Sequence, residues 1–214
     1  YLRMKSDDEL TDLFIPVLEE HGIKVVECPA CALTAGAQFA GKGVDFKNHI
    51  VTKEYVHDVV AFVKERASFV KDIWLNASCL FVSPLEYEKY GVKSGAAAEA
   101  AKPADPRRAA DPRAKGYDDT LTAPFLAKDA DKFWKPEGYQ PAYQVTEHVC
   151  GFDGAFTKEN IEPYLEDYIR EQGWPMGKVM NCIRLAVTGA ASGLGIADIL
   201  SFIGKDEFKA RMAY

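Results

Sequence analysis

The sequence predicts an all-α protein: two helical lobes, of the helical-bundle type, separated by a loop-like insertion. Three observations carry that reading. Apolar residues recur at i, i+3, i+4 and i+7 in several windows, which is the period of a helix with one buried face. No alternation of apolar and polar residues lasts more than a few positions, so no long half-buried strand is indicated. A stretch near the middle, 94–116, carries alanine, proline and charge but no large apolar residue. The implied organisation is an N-terminal helical lobe over 1–93, an Ala/Pro-rich insertion and connector over 94–135, and a C-terminal helical lobe over 136–214.

The first helix opens on Ser6-Asp7-Asp8-Glu9, a capping box in which the serine and glutamate side chains answer each other's backbone N–H. Leu10, Leu13, Phe14, Val17 and Leu18 then form a stripe, predicting a helix over Asp7–Glu20 that ends near Gly22. Pro16 is a potential bend. Residues 22–51 show no period and read as loop. Thr52 is placed to cap the next helix, whose stripe of Val56, Val59, Val60 and Val63 continues through Ala67 and Val70 to Ile73 and Trp74. Leu80-Phe81-Val82 is a short apolar run stopped by Pro84.

The 94–116 stretch cannot bury enough surface to offset its chain entropy. Pro103, Pro106 and Pro112 oppose a continuous helix, and its basic residues are offset by Glu99, Asp105 and Asp111. A solvated tether and an RNA-touching arm both fit it. Globular composition returns with Phe125, Leu126, Phe133 and Trp134. Thr157 then caps a helix carrying Ile161, Leu165, Tyr168 and Ile169 on one face, with Gly173 past its end. A further helix runs from Met176 to Val187, stopped by Gly189. Ala197, Ile199, Leu200 and Ile203 mark another, closed by Gly204, and Lys205 to Met212 adds a last turn or two.

Composition narrows the function classes. The chain has 214 residues, 48% of them hydrophobic, and a net charge of −6. No apolar run approaches the roughly 20 residues needed to cross a bilayer, so no membrane partner is expected. The acidic balance argues against a protein that coats DNA or RNA by bulk charge, though acidic totals can hide a local basic site. Five cysteines, an odd and widely spaced set, suggest a reducing, cytoplasmic setting. Cys28-Pro-Ala-Cys31 has half the spacing of a zinc site, but no second Cys or His pair completes it, so no metal is expected. Tyr1 in place of Met is what a fragment or processed product would show.

The search for catalytic chemistry yields no complete site. The Gly-rich run Thr188 to Gly195 lacks the Gly-Lys-Ser/Thr of a phosphate loop, and it follows a helix rather than the strand a dinucleotide loop requires. It reads as a helix-to-helix turn, and Asp198 just after it as a solvent-facing residue.

The block Gly177-Lys178-Val179-Met180-Asn181-Cys182-Ile183-Arg184-Leu185-Ala186-Val187-Thr188-Gly189, then Ser192-Gly193, then Ile203-Gly204-Lys205-Asp206, resembles the C-terminal anticodon-binding region of bacterial glutamyl-tRNA synthetases. Upstream, Val63-Lys64-Glu65-Arg66, Phe69-Val70-Lys71 and Leu80-Phe81-Val82 are similar to that family's Lys-Glu-Arg helix and apolar run, and Tyr1-Leu2 to the segment after its lysine-rich catalytic loop. Three positions and one segment depart from the pattern. Cys182 and Leu194 stand where the family has prolines, Glu166 stands where it has an arginine, and the insertion is foreign.

The resemblance implies a part of glutamate–tRNA ligase, a class I aminoacyl-tRNA synthetase used in protein biosynthesis. Neither class I signature motif is present, so the ATP-binding catalytic domain, with its ATP and Mg, is expected before Tyr1. The chain alone is expected to be non-catalytic and without cofactor. The implied partner is the anticodon loop of tRNA(Glu), not DNA, and the implied state a monomer. Arg66 aligns with the family arginine that distinguishes the last anticodon letter. Arg184, Lys178, Ser192 and Gly193 are the further candidate anticodon contacts. Without the family, Arg66 reads as a stem over apolar surface with its head in water. Arg184 interrupts an apolar helix and must face solvent, a carboxylate or a ligand phosphate. Trp74, Trp134 and Trp174 are aromatic enough to stack on bases, although core positions suit them better. The competing class is a helical protein–protein interaction module, which the acidic charge favours.

Overall fold

In a computed structural model, residues 4–27, 42–87, 129 and 132–213 are described. Helix α1 (Asp7–Glu20) begins on the expected capping box: Glu9 N donates to Ser6 Oγ at 3.1 Å and Ser6 N to Glu9 Oε2 at 3.2 Å. Leu10, Phe14 and Leu18 point inward, one helical turn apart, while Leu13 stays largely exposed. The helix runs through Pro16 and ends before Gly22, whose φ is 78°.

The 22–51 stretch, expected to be loop, contains three short strands: β1 (Lys24–Val26), β2 (Val44–Asp45) and β3 (Ile50–Thr52). β3 lies in the middle, parallel to β1 and antiparallel to β2, with Lys24 opposite Ile50 and Val44 opposite Val51. Strands of two or three residues are shorter than any pattern that would announce them. Asp45 shapes the turn between β2 and β3 by accepting from the Lys47 and Asn48 amides, each at 3.0 Å. The fold is otherwise helical, as the periodicity predicts.

Thr52 caps α2 (Lys53–Val63), its Oγ1 accepting from Tyr55 N at 3.2 Å. The apolar stripe does not continue as one helix to Trp74. A 3-10 turn (Lys64–Arg66) follows, Ala67 turns extended, and α3 (Val70–Ala77) starts afresh. The break has a local cause: Asp72 Oδ2 accepts from the Ser68 and Phe69 amides at 3.0 and 2.8 Å, which sets a new helix start. Short 3-10 turns at Ser78–Leu80 and Pro84–Glu86 complete this part.

The remaining helices are α4 (Pro136–Cys150), α5 (Lys158–Glu171), α6 (Met176–Thr188) and α7 (Ile196–Met212). Thr157 is the N-cap of α5, but its hydroxyl makes no backbone cap bond; it holds the Glu159 carboxylate instead. α7 leaves helical geometry at Gly204, where the sequence places a stop. Gly138 brings α4 against α6: a Cβ there would sit 2.7 Å from Cys182 Sγ and 2.9 Å from the Lys178 carbonyl. One continuous core joins both parts, and Phe202 of α7 meets Tyr55 edge-on and Phe62 at 5.4 Å between centroids. No helix among the described residues is long and apolar enough to cross a membrane. The proposed insertion at 94–116, Tyr1-Leu2 and the Cys28/Cys31 pair lie outside the described residues.

Candidate nucleic-acid interface

The break between α2 and α3 leaves Arg66 exposed at the end of a 3-10 turn. Its backbone is held from α3, where Asn76 Nδ2 donates to the Arg66 carbonyl at 3.4 Å and to the Asp72 carbonyl at 2.8 Å. Its guanidinium reaches across to the other end of the chain: Nη1 donates to the Gly193 carbonyl at 3.3 Å.

Arg184 arrives at the same turn from α6. It is half-buried, and its Nη1 donates to the Leu194 carbonyl. Burial lowers its pKa from the usual arginine value. The two arginines, from two different elements, therefore hold consecutive carbonyls of one turn. Neither guanidinium pairs with a carboxylate among the described residues. Each guanidinium fork keeps N–H donors beyond the one given to the turn.

The turn is built by its own sequence. Gly189 ends α6 in the left-handed region, at φ 71°. Thr188 Oγ1 lies 2.8 Å from the Arg184 carbonyl and accepts from Ala190 N at 3.2 Å. Gly193 has φ 146°, a conformation that L side chains rarely adopt. Leu194 is buried as the anchor, which leaves Ser192 and Gly193 exposed. Between this turn and α3 lies a cleft of about 250 Å³, lined by Leu75, Asn76, Cys79, Tyr87, Thr188 and Ser192 among others. Tyr87 braces it by donating to the Thr188 carbonyl at 2.9 Å.

Four of the five sequence candidates thus meet at one place: Arg66, Arg184, Ser192 and Gly193. Lys178 does not. It lies ten residues before Thr188 on α6, about 15 Å away along the axis, and pairs with Glu137 at 3.2 Å. Asp198, read as solvent-facing, is mostly buried and pairs with Lys158 at 2.9 Å. The tryptophans pack on the core; Trp74 stacks on His21 at 4.2 Å. Leu75, 62% exposed, lines the cleft, and Phe69, 72% exposed, precedes α3 three residues after Arg66. Sequence reasoning used Phe69 only as part of a motif and passed over Leu75, which falls off the buried stripe of α3. Burial pushes the Cys79 thiol up to about 11, so it is no nucleophile. Among the described residues, no group of three His, Cys, Asp or Glu side chains is placed to hold a metal ion.

Residues 113–214 match the family described as "Anticodon binding domain". The chain is 29% identical over 212 residues to the glutamate–tRNA ligase of Bacteroides fragilis and 24% identical to that of Porphyromonas gingivalis strain W83. In both alignments 99% of this chain is covered but only 29% of the relative's length. Two solved structures share its fold over 99% of the chain, each at 21% identity. One is a glutamate tRNA ligase from Elizabethkingia meningosepticum, with a TM-score of 0.56 and 29% of its length matched. The other is glutamate–tRNA synthetase from Elizabethkingia anophelis, with a TM-score of 0.59 and 28% matched.

Proposed function

We propose that this chain, whose residues 113–214 belong to the anticodon binding domain family and whose length is homologous to the C-terminal part of glutamate–tRNA ligases, reads the anticodon loop of tRNA(Glu). The observation that supports this most is the meeting of Arg66 and Arg184 on one exposed turn beside a cleft. Unpaired loop bases are read on their edges by such forks and held by stacking on aromatic rings or guanidinium planes. A bidentate arginine contact discriminates bases by ~1–3 kcal/mol, so a protein of net charge −6 can select one RNA without a broad basic face. Backbone N–H groups of the Ser192 turn, just before α7, suit a loop phosphate.

In this reading the chain supplies recognition. Attachment of glutamate, with its ATP and Mg, belongs to a catalytic domain that this sequence does not include. The working state is a cytoplasmic monomer. The test is titration of the chain with a stem–loop RNA carrying the tRNA(Glu) anticodon arm, at low and moderate salt. Binding should weaken as salt rises and should be weaker for a loop altered in its last anticodon letter. Equal binding to a scrambled loop would overturn the reading in favour of a helical protein–protein interaction module, the alternative that the acidic charge supports.

A further inference from the structure

Arg211 is 1% exposed, the most deeply buried cation among the described residues, and no part of the proposed RNA contact uses it. It sits in the last turn of α7, three residues after the buried Phe208 and beside the buried Met212. Nε donates to Glu207 Oε1 at 2.7 Å. Nη1 donates twice, to the Cys79 carbonyl at 2.8 Å and to the Val187 carbonyl at 2.7 Å. The Phe46 ring lies 5.0 Å from Cζ, and Nη2 is buried without a hydrogen-bond partner.

The two carbonyls come from the two walls of the cleft. Cys79 belongs to the 3-10 turn that follows α3 and itself lines the cleft. Val187 belongs to the last turn of α6, one residue before Thr188, which lines the opposite side. Both sit at helix ends, where carbonyls lack an intrahelical donor and a cation is favoured. One nitrogen thus satisfies an orphan acceptor on each wall and ties the walls together.

Two other links cross the cleft: the Tyr87 hydroxyl gives the Thr188 carbonyl a single uncharged bond at 2.9 Å, and Arg66 adds a weaker one. The Arg66 bond to Gly193 is exposed and 3.3 Å long, and such contacts hold little against water. Short, buried, charge-assisted bonds hold considerably more. The width of the cleft is therefore set chiefly by the paired, charge-assisted bonds of Arg211, behind the surface, with Tyr87 bracing the rim, and Arg66 works within the opening so fixed. We propose that Arg211 is a positioning residue that fixes the spacing between α3 and the 188–194 turn, and through it the selectivity of the arginine pair. This rests on the RNA-reading proposal for its second half only.

The experiment compares the 214-residue chain with Arg211→Lys and Arg211→Met. Lysine keeps the charge and its pairing with Glu207, but a single ammonium does not reproduce the planar fork. Amide NMR shifts are recorded for residues 75–79 and 188–194, and stem–loop binding is measured well below each variant's melting temperature. In folded Arg211→Lys the amides of both walls should shift or broaden together, while those of α5 stay in place. The preference for the intact over the last-letter-altered loop should fall about fivefold or more.

A folded Arg211→Lys with wall amides unmoved refutes the positioning role, whatever the RNA result. Moved amides with an unchanged preference refute the link to selectivity. A purely structural arginine would lower binding to every RNA by one factor and leave the ratio intact. Should Arg211→Met fail to fold, Arg211→Lys alone decides. A wild-type chain indifferent to loop sequence sinks the RNA reading, while the NMR comparison still judges Arg211.

Discussion

Replacing Arg66 with glutamine separates recognition from folding. The side chain is exposed, and among the described residues its one hydrogen bond is the 3.3 Å contact with the Gly193 carbonyl. Glutamine is too short to span that gap. Loss of an exposed hydrogen bond of this kind costs at most ~1 kcal/mol, which for a chain of this size lowers the melting temperature by no more than about 2–4 °C. The RNA side is different. If the fork reads a base edge, its removal costs ~1–3 kcal/mol of discrimination, about 5- to 150-fold in the ratio of affinities. The assay titrates wild type and Arg66→Gln with the tRNA(Glu) stem–loop and with a version altered only in the last anticodon letter, alongside thermal unfolding of each protein. The expected result is a near-constant melting temperature with a collapsed affinity ratio. An unchanged ratio in a folded variant would show that Arg66 does not read that letter.

Two further predictions concern the scaffold. Ser6→Ala removes one half of the α1 capping box, which costs about 1 kcal/mol and should lower the melting temperature by about 2–4 °C without altering RNA selectivity; a melting point unmoved within error would show that the box contributes nothing. His148 stacks on Tyr164 and Tyr168 at 4.3 and 3.8 Å between centroids, and burial lowers its pKa while Glu171 pulls it the other way. A histidine held below the ordinary value of ~6.5 binds fewer protons folded than unfolded. Its contribution is thus fully present above pH ~6.5 and is lost as pH falls below it. Urea unfolding at pH ~7.5 and ~5.5 should show a smaller acid loss for His148→Phe than for wild type; equal losses would refute the assignment.

The helical frame was legible because amphipathic periods and caps are local. Ser6, Thr52, Gly189 and Gly204 each do what their neighbours in sequence dictate. The strands were not, because Val44–Asp45 is too short to show any alternation and takes its structure from β3. The split between α2 and α3 was hidden by an apolar stripe that stays in phase across it; only the Asp72 cap at Ser68 and Phe69 reveals the new start. Arg66 and Arg184 could be singled out as charges bordering apolar faces, but their convergence on residues 193 and 194 is tertiary. Lys178 belonged to the same motif by spacing but lies far down the helix axis, because ten residues of helix rise about 15 Å between it and the turn. Arg211 left one trace, a charge between the inward Phe208 and Met212.

The bond between Cys79 and Arg211 spans 132 positions of sequence. Ribosomes add about 5–20 residues per second, so the carbonyl of Cys79 waits some 7–26 s for its cation to be synthesised. For most of that interval Tyr55, Leu80 and Phe81 have been made but Phe202 and Phe208, which share their core, have not. The nascent N-terminal portion consequently passes through a period with an unfinished apolar face, the state in which a chaperone finds its client.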